Sequence, residues 1–161
     1  MSQGTELANR FREVFLDGTF VAYTNYKAQL TTLNRETAFT RVSNLNTIAA
    51  LTFHIHYYVA GILHVFRGGT LDIRDQYAWD MPEMPEESDW EQLKERFWAD
   101  AEAYAQHVEQ LTTDELDAFF VDEKYGTMRR NIDAMIEHAY YHLGQISLIK
   151  KMIETNTSYT S

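Results

Sequence analysis

Residues 132–146 read IDAMIEHAYYHLGQI, from Ile132 to Ile146, and the fold class follows from this stretch. Ile132, Met135, Ile136, Ala139, Leu143 and Ile146 recur at three- and four-residue steps, and Ile149 and Ile153 carry the pattern on. That period belongs to an amphipathic helix and not to a strand. The helix is expected to start at Gly126–Thr127. Within it, His138 and His142 are four residues apart, so their azimuths differ by about 40° and both reach over one face. Asn131, Ala134, Gln145 and Ile149 extend that face, whereas Asp133, Glu137, Lys151 and Glu154 lie off it.

Three further long apolar patterns precede this one. A segment from Thr5 to about Leu33 places Leu7, Phe11, Val14 and Phe15 at helical spacing. It is interrupted at Asp17–Gly18, after which Phe20 to Leu30 is expected to continue as helix or set off at an angle. A short helix over Arg35 to Val42 is expected behind an Asn34 cap. The second long helix runs from about Leu45 to Arg67 and stops at Gly68–Gly69. The third opens at Ser88–Asp89 and reaches Leu111, with Trp90, Leu93, Phe97, Ala101, Tyr104 and Val108 as its stripe. Thr113 with Glu115–Leu116 reads as a short capped turn. Between the second and third long helices lies an acidic loop, Gly68 to Glu87, which holds both prolines and is longer than most structural connections. No turn flanked by alternating apolar runs signals a hairpin. The expected architecture is all-α: an antiparallel four-helix bundle forming one domain over residues 1–161, with a polar tail from Thr155 to Ser161.

Composition narrows the function. The chain has 161 residues, 14 Lys plus Arg, 24 Asp plus Glu and a net charge of −10, which disfavours a nucleic-acid partner. With no cysteine, thiolate zinc sites, cysteine nucleophiles and disulfide frameworks are excluded together. Met1 to Glu6 offers neither a basic nor an apolar export region, so a cytoplasmic location is expected. Ile48 to Phe66 lacks Asp, Glu, Lys and Arg over 19 residues. It carries His54, His56, His64 and Thr52, however, and is read as a buried bundle helix rather than a membrane span. Arg129–Arg130 with Lys124 is the compact cationic cluster, read either as a solvated helix end or as an anchor for an anion.

In a chain without cysteine, the six histidines are the best transition-metal ligands. His138 and His142 alone can equally serve as donors to backbone or tyrosine hydroxyls. A third imidazole from another buried helix would complete an open tetrahedral or five-coordinate site. His54 and His56 are about 200° apart around their helix, so only one can face the lumen. His54 shares its face with Thr47, Leu51, Tyr58 and Gly61, where Tyr58 would border the site and Gly61 would admit a neighbouring helix; His54 is therefore favoured, with His56 as the alternative. His64 and His107 are read as surface or packing residues. Gln145, one turn beyond His142, and Asn131 are candidates for the surroundings of such a site. Tyr57, Tyr58, Tyr140 and Tyr141 are candidates for a pocket wall, and the acidic loop with Tyr77 and Trp79 for a lid. Neither metal-facing helix presents an Asp or Glu, so a general base must come from bound hydroxide or from another segment.

Asn46-Thr47-Ile48-Ala49 followed by His54, together with Glu137 to Ile146, resembles the two signatures of the DinB-like (DinB/YfiT-type) metalloenzyme superfamily. The resemblance implies a four-helix bundle holding a divalent ion, commonly zinc or nickel, on His54, His138 and His142. It also implies an activity, since some members are thiol-dependent transferases or isomerases that use a low-molecular-weight thiol cosubstrate. A metal suits that chemistry because coordination deprotonates the thiol, and the same open site can activate water for hydrolysis. The expectation is a metal-dependent transferase or hydrolase acting on a small-molecule substrate. The competing expectation is a non-catalytic metal- or ligand-binding bundle acting as a homodimer.

Overall fold

The computed structural model describes residues 1–158, with side chains through Thr155. Its elements are α1 (Gln3–Phe15), α2 (Tyr26–Leu30), α3 (Arg35–Phe39), α4 (Ile48–Phe66), α5 (Glu87–Gln110), α6 (Thr113–Asp117) and α7 (Met128–Ser158). Among the described residues there is no strand, only an isolated bridge between Phe119 and Thr127. The chain is all-α, as the 3.6-residue period required.

Each long helix begins where a side chain can satisfy its orphan amide groups. Ser2 accepts from Thr5 N–H, and Thr47 from Ala50 N–H. Glu86 and Asp89 form a reciprocal capping box at the start of α5. α4 ends against Gly68, whose φ of +86° is the left-handed conformation that stops a helix. Asn34 caps α3 by accepting from Thr37 N–H at 2.9 Å.

The four long helices close a ring: α1 packs on α5 and α7, and α4 packs on the same two. An aromatic cluster fills one part of the core. Phe11 stacks on Tyr104 at 4.2 Å, and Phe97 meets both Phe15 and Tyr26 edge-on at 5.6 Å. The Tyr26 hydroxyl donates to the Ala139 carbonyl at 2.8 Å, tying α2 to α7 beside His138. The Lys94 ammonium is buried yet fully employed, donating to the carbonyls of Leu30, Thr31 and Leu33 and pairing with Glu91 at 2.8 Å.

Two expectations change. The first segment does not run as helix to Leu33, because α1 stops at Phe15 and only Tyr26–Leu30 resumes. Phe20 and Tyr23 are each 89% exposed, so no core face holds the intervening residues in a helix. Ala22 and Tyr23 instead take left-handed φ values of 55° and 54°. α3 ends at Phe39, short of Val42. α7 runs on to Ser158, into the polar tail that starts at Thr155, and 159–161 of that tail lie outside the described residues. α4 is long and apolar enough to cross a membrane by length and composition, and here its Ile48, Leu51, Ile55, Val59 and Ile62 are buried within the bundle.

Candidate metal centre

α4 and α7 bring three imidazoles to one point. His138 Nε2 lies 3.2 Å from His54 Nε2 and 2.9 Å from His142 Nε2. The outer nitrogens of two rings are fixed. His54 Nδ1–H donates to the Ala78 carbonyl at 3.2 Å, and His142 Nδ1–H to Gln145 Oε1 at 2.6 Å. These partners accept only, so they place the proton on Nδ1 and leave the lone pair of each Nε2 facing inward. That is how metal-ligating histidines are oriented.

Three nitrogens this close repel unless a shared proton or a cation sits among them. Protonation is disfavoured: burial and the neighbouring imidazoles His142 and His54 push the His138 pKa down to about 4. Burial lowers that of His54, and burial likewise lowers that of His142. Neutral rings remain, the form a divalent ion needs. Zinc–nitrogen bonds of about 2.0–2.1 Å at tetrahedral angles put ligand nitrogens about 3.3–3.4 Å apart. Two of the three separations need only a few tenths of an ångström to reach that value, and all three ligand atoms lie within 4.8 Å of one another. Three neutral imidazoles gathered so closely are a donor set that could hold a divalent transition metal.

The acidic loop completes the centre. Along α4, residues 54, 57, 58, 61 and 64 share one side, and each meets the loop. Tyr57 Oη accepts from Arg74 N–H at 2.9 Å and donates to its carbonyl at 3.2 Å. Tyr58 O–H donates to Asp75 Oδ1 at 2.7 Å, while His64 packs on Gly69. Ile73 occupies the space a Cβ on Gly61 would need. The close approach that Gly61 permits is thus made by the loop and not by a neighbouring helix. Trp79 stacks on the His54 ring at 3.9 Å. Burial, then the Asp75 hydrogen bond, raises the Tyr58 hydroxyl well above its ordinary range.

The remaining candidates divide clearly. The Tyr58 ring is 5.2 Å from both His54 and His138, and Gln145 holds His142. Asn131 is engaged away from the histidines, its amide donating to the carbonyls of Tyr125 and Thr127 at the start of α7. His56 faces α5, where its Nε2 is 2.8 Å from Asp100 Oδ2. His107 stacks on Phe66 at 4.3 Å. Tyr141 lies 4.9 Å from His142, whereas Tyr77 is exposed without a contact to the cluster. The cationic cluster is already paired, Arg129 with Asp117 and Arg130 with Glu137, and Lys124 lies near Asp122. Asp75 and Ala78 were not singled out by the sequence, because nothing in a helical period locates a loop residue in space.

Two signature helices with three converging histidines suggest one lineage, and the family model for the DinB superfamily matches residues 21–146. The chain belongs to the DinB superfamily. No curated protein and no solved structure matches it. The DinB match takes in α4 and the acidic loop whole, and α7 as far as Ile146, so every residue of the histidine cluster and its supports falls inside it.

Proposed function

We propose that this DinB-superfamily protein is a divalent-metal-dependent enzyme, with zinc or nickel on His54, His138 and His142. It would act on a small-molecule substrate by hydrolysis or by transfer to a low-molecular-weight thiol. The observation that carries this reading is the inward convergence of three Nε2 atoms, with the His54 and His142 rings held from behind by Ala78 and Gln145. A divalent ion bound there brings the pKa of a ligated water or thiol toward neutrality and leaves at least one position for substrate.

The chain's own residues supply the rest. Ala78 and Gln145 hold two rings in their ligating tautomers. Trp79 covers the His54 face and shields it from bulk water. The two helices place no Asp or Glu on their histidine-bearing faces; Asp75, brought in by the loop and held by Tyr58, is the carboxylate that would receive a proton leaving the site. The net charge of −10 supports a small substrate and not a nucleic acid.

Metal-loaded protein screened for thiol consumption with electrophiles, and for ester and amide hydrolysis, tests the reading. Activity in one class that disappears both on chelation and in His142→Ala is expected. Activity surviving both treatments contradicts metal catalysis, and retained metal without turnover of any class favours the binding bundle.

A further inference from the structure

The rim of the histidine cluster is aromatic and anionic. Tyr58 stands against His54 and His138, Trp79 lies flat on His54, and Tyr141 meets His142 edge-on. Trp79 is 42% and Tyr141 65% exposed, so both keep ring surface open to an incoming molecule. Asp75 is exposed as well. One of its oxygens receives the Tyr58 hydroxyl at 2.7 Å, and among the described residues no hydrogen bond reaches the other.

Asp75 brings a negative charge to the rim of the cluster. Among the described residues, Asp75 is the charged side chain whose field reaches His54 and His138. Three cations on α1 and α7 are held in ion pairs, Arg10 with Asp133, Arg130 with Glu137 and Arg129 with Asp117. Aromatic faces carry negative quadrupole density and attract cations, and a carboxylate beside them adds a full charge. An anionic group placed beside Asp75 would meet the repulsion of its carboxylate.

We propose that the site selects substrates carrying a positively charged amine beside an apolar or aromatic body, with Asp75 as the residue that reads the charge. This rests on the metal-centre reading above and deepens it: the amine lies along Asp75 and the rings, while the reacting group reaches the metal. Dicarboxylate thiols are disfavoured partners on the same grounds.

The test uses the full chain loaded with cobalt(II), whose absorption reports uptake and whose sulfur-to-metal charge-transfer band reports thiol coordination. Three small thiols serve as probes at one pH: cysteamine (cationic), 2-mercaptoethanol (neutral) and 3-mercaptopropionate (anionic). Because the three thiols differ in acidity, each affinity is compared between the wild type and Asp75→Asn, which should retain cobalt. Cysteamine should bind about tenfold more weakly to Asp75→Asn, 2-mercaptoethanol about equally and 3-mercaptopropionate more tightly. A cysteamine affinity unchanged by Asp75→Asn, or an equal loss for all three thiols, overturns the inference while the metal centre stands. A chain that takes up no cobalt shows no metal spectrum at all, and that separate result overturns the metal reading and this inference with it.

Discussion

Gln145 and His138 mark the two kinds of residue this centre needs. Gln145 touches His142 but would not touch the metal, so Gln145→Ala should leave the fold intact and weaken metal affinity about 10- to 100-fold, read by competition with a chromophoric chelator. His138 sits at the centre of the cluster with its pKa pushed down to about 4. In the unfolded chain an imidazole titrates near 6.5. As pH falls from about 6.5 toward 4, the unfolded state therefore binds protons that the folded metal-free protein resists, and stability drops over that window. His54 and His142, lowered in the same direction, add to the slope. Urea midpoints of the metal-free protein at pH 7 and pH 5 should fall more in the wild type than in His138→Ala; equal falls would contradict the assignment.

At the scale of elements, the loop is strapped along one side of α4, and the last contact of the strap orients His54. Docking of the loop and binding of metal are then linked, each favouring the other. Tyr57→Phe removes both hydrogen bonds to Arg74 and should loosen docking by about 1 kcal/mol. Amide exchange over residues 70–78 should quicken about fivefold in the metal-free protein and slow again on metal addition; exchange unaffected by metal would break the link. The helices themselves were legible from sequence because their apolar residues repeat at 3.6-residue spacing and their caps are local. So was the pairing of His138 with His142, which is a property of one helix. The choice between His54 and His56 was legible in part: the 200° between them forced a choice, and the faces around each favoured one. What stayed hidden depends on a loop that has no period. The reach of Asp75 to Tyr58, the Ala78 carbonyl behind His54 and the arrival of Ile73 over Gly61 are all set by tertiary path. The break after Phe15 was marked by Asp17–Gly18, but the left-handed turn at Ala22–Tyr23 had no glycine to announce it.

Across the whole molecule, the aromatic core holds the ring of helices together and the metal should stabilise the same state. Phe97 is fully buried and meets Phe15, Tyr26 and His56, so Phe97→Ala should cost about 3–5 kcal/mol in a denaturation experiment. A metal that binds only the folded chain adds about 2.7 kcal/mol when free metal is one hundred times its dissociation constant. The central claim is that His54, His138 and His142 hold one divalent ion. It is tested most directly by elemental analysis of untagged protein, after zinc or nickel loading and dialysis, beside a His138→Ala variant whose helical content is confirmed by circular dichroism. About one equivalent of metal is expected in the wild type and almost none in the variant. No metal in the wild type, or the same amount in both, would contradict it.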